Sequence, residues 1–211
     1  MTGSLFEIAK KIREILAEKS LTEGRQSSML AAKYLAAYLE ANPMKQNEIL
    51  RKETLEEMMA DIKSCGFFRP EKYDLLEKII PKVGGYNNDP FSYNDCLNDE
   101  EKVALHIDTE YKVSREMVEC MNERGLSQKD PRNIIPVIYY MNYFAVGRKY
   151  KLLEFKARGI EKVKIVCLGG DMDCKAVEHF KKTYPLDSVP ALPLPECDAP
   201  YCRCEYVAGD E

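Results

Sequence analysis

Lys162-Val163-Lys164-Ile165-Val166-Cys167 is the stretch at which the chain changes character. Its β-branched residues alternate and cluster in the manner of a strand, whereas almost everything before it reads as helix. Immediately upstream, residues 134–146 (IIPVIYYMNYFAV) form the most apolar segment, which continues through RKYKLLEFKAR to Gly159. Asp130-Pro131 opens this helix and Pro136 sits in its first turn or kinks it. Being apolar nearly all round at its start, it is expected to be the central helix of a helical body, its second half emerging as a basic amphipathic surface. Downstream, Gly169-Gly170-Asp171 is a turn, Cys174 to about Lys182 a short helix, YPLDSVPALPLPE an extended loop, and Cys202 to Val207 a second strand. The expected fold is therefore mainly α. A multi-helix body spans 1–160, with a possible internal boundary near 84–98, and a small C-terminal α+β cysteine-rich, zinc-ribbon-like module spans 161–211.

The body's helices follow from periodicity and punctuation. Leu5, Ile8, Ile12, Ile15 and Leu16 recur at spacings of three and four, as do Met29, Leu30, Tyr34, Leu35 and Leu39, giving amphipathic helices over 5–20 and about 25–41. Asn42-Pro43 is expected to stop the second. Thr54 and Glu57 have the spacing of a capping box, so a helix is predicted from Thr54 to about Ser64. Arg69-Pro70-Glu71 opens another, buried through Tyr73, Leu75, Leu76, Ile79 and Ile80 and ended by Gly84-Gly85. Asn98 with Glu101 repeats the capping geometry ahead of VALHI, where His106 reads as a satisfied helix residue, and Ser114 is expected to cap a helix running to Gly125.

At 211 residues the chain is long enough to bury a core, and 45% hydrophobic with 31% charged residues is ordinary for a globular protein. No apolar run approaches the roughly 20 residues of a spanning helix. The start MTGSLFEIAKKIREI carries charges where a signal peptide has its apolar core, so a cytoplasmic location is expected. A net charge of −4 offers no general attraction to nucleic acid or anionic lipid.

Eight cysteines in a reducing compartment point away from a disulfide framework and toward metal ligation, catalysis or burial. Five of them, Cys167, Cys174, Cys197, Cys202 and Cys204, fall in the C-terminal module, which at about fifty residues buries too little to stabilise itself without a staple or docking. Zinc is such a staple, held by four Cys or His ligands. The preferred set is Cys174, Cys197, Cys202 and Cys204, with Cys167, Asp171 and His179 as substitutes. Two readings stand beside it: reduced thiols buried as small hydrophobes, and a redox or catalytic thiol activated by Arg203, for which His179 is the one nearby base.

The strand, acidic turn, short helix bearing Cys174 and the run YPLDSVPALPLPECDAPYCRC resemble the C-terminal cysteine module of uncharacterised bacterial and prophage-borne proteins. More distantly they resemble the tail of Mu-type phage head morphogenesis proteins, in which a Cys-x2-Cys precedes a Pro-rich loop and a Cys-Arg-Cys. The resemblance covers about 45 residues. It implies a further ligand three residues before Cys174, where this chain has Asp171; either Asp171 ligates in its place or Cys167 does.

Between residues 148 and 164 stand seven basic residues (Arg148, Lys149, Lys151, Lys156, Arg158, Lys162, Lys164) against Glu154 and Glu161. Arg148, Lys149, Lys151, Lys156 and Arg158 can meet phosphates; the alternative, favoured in an acidic chain, is a solvated helix face. The sequence contains no phosphate loop, dinucleotide fingerprint, HExxH or nucleophile elbow, and no residue is assigned a catalytic role. The expectation is a protein-binding or assembly protein with structural zinc. A nuclease or thiol-dependent enzyme and a phage-related structural protein are the alternatives. Oligomeric state is not legible.

Overall fold

The computed structural model of the protein describes residues 43–82, 90–128, 130–167, 174–197, 199 and 201–209. The helices expected over 5–20 and 25–41, the Gly84-Gly85 stop and the turn at 169–171 lie outside these residues. The described residues divide into two compact units, those from Leu50 to Phe144 in one and those from Ala145 onward, with 43–49, in the other. The chain is mainly α with a small α+β part at its C-terminal end.

Helix α1 spans Pro43–Ser64. Asn42-Pro43 thus opens a helix, with proline in the first position where its missing N–H is no loss. Thr54 does not begin a helix. It lies inside α1, 1% exposed, and its Oγ1 donates to Leu50 O at 2.7 Å, the back-bond that a threonine makes to the preceding turn. Met58 and Ile62, four apart, are buried. After the 3-10 turn Pro70–Lys72 comes α2, Tyr73–Ile79, extended by Ile80–Lys82, with Leu76, Ile79 and Ile80 buried as the pattern predicts.

The Asn98 capping box is present. Asn98 Oδ1 accepts from Glu101 N at 2.9 Å and Glu101 Oε2 accepts from Asn98 N at 2.8 Å. The helix it opens, α3, is only Asp99–Ala104. Its C-terminus is wound off by His106 N donating to Val103 O and Ile107 N to Lys102 O, with His106 at φ 57°. His106 is therefore an exposed left-handed residue beyond the helix end and not the helix residue expected.

The helix expected from Ser114 to Gly125 is broken in two, α4 (Arg115–Cys120) and α5 (Glu123–Leu126). The cause is tertiary. Met121 forms an antiparallel bridge with Phe68, Arg69 N donates to Cys120 O at 2.9 Å, Arg69 Nε to Met121 O at 2.7 Å, and Asn122 N to Phe67 O at 3.1 Å. These bonds take the groups a continuous helix would use. Asn122 then caps α5, accepting from Gly125 N at 3.0 Å. Ser114 occupies an N-cap position without capping, its buried Oγ having no hydrogen-bond partner among the described residues.

Helix α6, Ile134–Ala157, follows the 3-10 turn Pro131–Asn133, whose N-cap Asp130 accepts from Arg132 N, and Pro136 lies in its first turn. Ile134, Ile135, Ile138 and Tyr139 are buried in the core of the Leu50–Phe144 unit. Met141 and Tyr143, 46% and 49% exposed, are not, so the helix is not buried all round. It ends in a Schellman motif. Gly159 adopts φ 71°, its N–H donates to Lys156 O, and Ile160 N donates to Phe155 O at 2.9 Å.

Beyond it lies an antiparallel sheet of order β2-β1-β3: β1 is Lys162–Cys167, β2 Thr183–Pro185 and β3 Cys204–Ala208. β1 and β3 fall where expected, whereas β2 lies in a stretch read as loop. The short helix expected from Cys174 to about Lys182 is present as the 3-10 helix Lys175–Phe180.

Candidate metal centre

The sheet register decides which side chains meet. Gly209 N donates to Lys162 O at 2.8 Å, making those residues a hydrogen-bonded pair. Alternation along an antiparallel ladder then makes Val163↔Ala208, Ile165↔Tyr206 and Cys167↔Cys204 the non-hydrogen-bonded pairs, in which side chains stand closest and Cα atoms approach to about 4.5 Å. Val163, Ile165, Cys204 and Tyr206, on this face, are all buried, with Tyr184 of β2 opposite Val163. The inner face packs in one cluster with Phe155, Cys174, Ala176, Val177, Leu194 and Cys202, against which Cys167 and Cys197 are partly buried.

Five sequence-predicted sulfurs thus share one small core, and three of them, on Cys167, Cys202 and Cys204, interact directly. Cys204 is 0% exposed. Burial pushes its thiol far above the ordinary range, and the neighbouring Cys167 and Cys202 thiols push it further, because a thiolate there would be both desolvated and repelled. All five are free cysteines; Cys174, Cys202 and Cys204 are buried and Cys167 and Cys197 half-buried. As packed they do not enclose an ion, since among the described residues no three His, Cys, Asp or Glu side chains are arranged to hold a metal. Cys174 is buried beside the trio, and Cys197 is tied to buried Leu194 by Cys197 N donating to Leu194 O at 3.0 Å. His179 is exposed, and Asp171 lies outside the described residues.

The basic stretch divides. Lys151 Nζ and Arg158 Nη1 both donate to Glu154, at 3.0 and 2.9 Å. Burial raises the Glu154 carboxyl, but these two cations outweigh it and the net shift is downward. Lys149 is exposed and Lys156 half-buried. Arg148, singled out as a phosphate contact, is 7% exposed, and its Nη1 donates to Cys202 O at 3.0 Å and Cys204 O at 3.2 Å. A phosphate in solution does not reach it. Its place was readable from position rather than charge, because Arg148, Leu152 and Phe155 follow the i, i+4, i+7 spacing of one helix face.

The Leu50–Phe144 unit has an open cleft of about 740 Å³, lined among others by Asp61, Cys65, Phe67, Tyr111, Val137 and Met141. Burial raises the Cys65 thiol, and the carboxylate of Asp130, also at the cleft, is held by Arg132 Nε and Nη2 and by Asn133 Nδ2. Among the described residues no helix is long and apolar enough to cross a membrane. No protein-family model, curated protein or solved structure matches the chain.

Proposed function

We propose that the protein is a binding or assembly protein whose C-terminal unit is closed by a structural zinc ion held by cysteine thiolates. The observation that carries this reading is the convergence of Cys167, Cys202 and Cys204 at the paired ends of β1 and β3. Cys174 or Cys197 of the same core supplies a fourth sulfur. A sheet of three short strands with a Pro-rich loop across it has little apolar area of its own, and a metal that displaces protons from buried thiols converts their unfavourable ionisation into cross-links. Unpaired thiols in this number suit a reducing cytoplasm. The likeness of the cysteine run to prophage-borne modules is the ground for assembly over catalysis.

Elemental analysis of full-length protein purified under reducing conditions without added metal is expected to give about one zinc per chain, and chelation is expected to lower the melting temperature. A metal-free preparation whose melting is unchanged by chelator or by added zinc overturns the proposal.

A further inference from the structure

Cys167 and Cys204 face each other across the ladder of β1 and β3, in the non-hydrogen-bonded kind of pair whose Cα atoms stand about 4.5 Å apart. A disulfide needs Cα atoms about 4.4–6.8 Å apart, most often about 5.5–6 Å. The pair is thus in bonding range with the backbone where it is, and at the short end of that range. Opposed residues of a ladder also share a face. The Cys167 and Cys202 side chains both reach that of Cys204 closely enough to hydrogen-bond with it. Of the two, Cys167 is the one that the register sets opposite Cys204, since Cys202 precedes β3. Arg148 Nη1 donates to Cys202 O and Cys204 O at 3.0 and 3.2 Å and holds this backbone in place. Exposure separates the two members of the pair. Cys204 is buried and Cys167 half-buried, so a reagent in solution meets Cys167 first.

We propose that Cys167 and Cys204 form a reversible cross-strand disulfide when the protein meets a low-molecular-weight disulfide, making this end of the sheet a site of redox modification. The inference goes beyond the zinc reading and does not depend on it, because it needs only the two sulfurs. The Cys167 thiol loses its proton and its sulfur attacks one sulfur of the oxidant, breaking the S–S bond of the oxidant, forming a mixed disulfide and releasing one thiolate. The Cys204 thiol then loses its proton and attacks the Cys167 sulfur, forming the internal bond and expelling the second thiolate. Two cysteine thiols are oxidised, one disulfide is reduced, and the two protons end on the released thiols. The second step is intramolecular, between groups that the sheet already holds together. A bond at this Cα spacing departs from the commonest disulfide geometry, which makes it easier to reduce, and thiol reductants reverse it.

The test treats reduced, folded full-length protein with oxidised glutathione in the presence of EDTA, then alkylates the remaining thiols and maps the disulfides by mass spectrometry. The parent is expected to yield a peptide pair joining Cys167 to Cys204, lost on addition of dithiothreitol. Cys202→Ala is expected to form the same link. Cys204→Ala is expected to lose it and to accumulate glutathione on Cys167. If that variant does not fold, Cys167→Ser takes its place, with the link lost and Cys204 free of glutathione. A parent in which Cys167 stays a thiol or stops at the glutathione adduct overturns the proposal, as does one in which Cys202 is the residue joined to Cys167 or to Cys204. A link between Cys167 and Cys204 that forms only in urea-unfolded protein also overturns it, since the native register then does not supply the pair.

Discussion

Replacing Gly125 by alanine puts one methyl group where the structure has no room. A Cβ at this position would collide with Phe67 O and stand 3.3 Å from Phe67 C and 3.4 Å from Met121 Cβ. The obstacle is backbone, which cannot rotate aside. Overpacking of this kind costs about 1–3 kcal/mol. Moving α5 away also strains the bond from Asn122 N to Phe67 O, at 3.1 Å, and that from Asn122 Nδ2 to Gly66 O, at 3.0 Å, each worth about 1 kcal/mol. The expected loss is about 2–4 kcal/mol, a fall in urea midpoint of about 1 M at a slope of roughly 2–3 kcal/mol/M. Gly147→Ala is the control. It lies inside α6 with no atom of another described segment within 4 Å of the added Cβ, and the gain in helix propensity is up to about 1 kcal/mol. Urea unfolding followed by circular dichroism reads both variants. A Gly125→Ala protein within about 0.5 kcal/mol of the parent, or one no less stable than Gly147→Ala, refutes the steric reasoning.

The two candidate caps are expected to behave oppositely. Asn98→Ala costs about 1 kcal/mol, whereas Ser114→Ala, which removes a buried hydroxyl without a partner among the described residues, is neutral or stabilising in the same urea assay. Asp130 should contribute to acid sensitivity. The Arg132 side chain bonded to it is the main cause holding its folded carboxyl below the ordinary value of 3.8, ahead of the opposing effect of burial. The unfolded chain therefore binds the proton more readily, so the stabilisation is complete above about pH 4 and is lost as pH falls through the lower folded value. Asp130→Asn should flatten that part of a stability-pH curve, and an unchanged curve refutes the assignment. Burial raises the Cys120 thiol to about 11 and drives that of Cys204 up as well. Mass spectrometry after brief alkylation at pH 8 should find both unmodified in native metal-free protein while half-buried Cys96 and Cys197 react.

Local signals survived into the structure where nothing distant competed with them. The β-branched alternation of Lys162–Cys167 became a strand, Asn98 and Glu101 made their reciprocal cap, and Gly159 wound off the longest described helix. Where the sequence misled, a partner far along the chain had taken over. Thr54 has the right spacing for a cap but sits mid-helix because α1 already starts at Pro43. Ser114 and the run after it would make one helix, were the Phe67–Arg69 backbone not competing for Met121 and Asn122. β2 escaped notice because it is three residues long and ends in proline, tolerable on the outer strand of a sheet. At the candidate centre, the density of cysteines was legible but the pairing was not. Only the register of β1 with β3 sets Cys167 opposite Cys204, whereas Arg148 is set apart from the lysines beside it by its place on the helix face of Leu152 and Phe155, and the structure buries it.

The clasp between residues 66–69 and 120–122 has a kinetic consequence. Arg69 and Met121 are 52 residues apart and Asn122 and Gly66 are 56 apart, so forming it closes a loop whose length-dependent entropy is about 3.5 kcal/mol. Helices α1 and α2 can form from local contacts in microseconds, but the clasp must wait for that loop to close. The break between α4 and α5 is held open by the clasp. Residues 115–126 are thus free to form one continuous helix early in folding, and the native interruption at Met121 arises when the segment around Phe68 arrives.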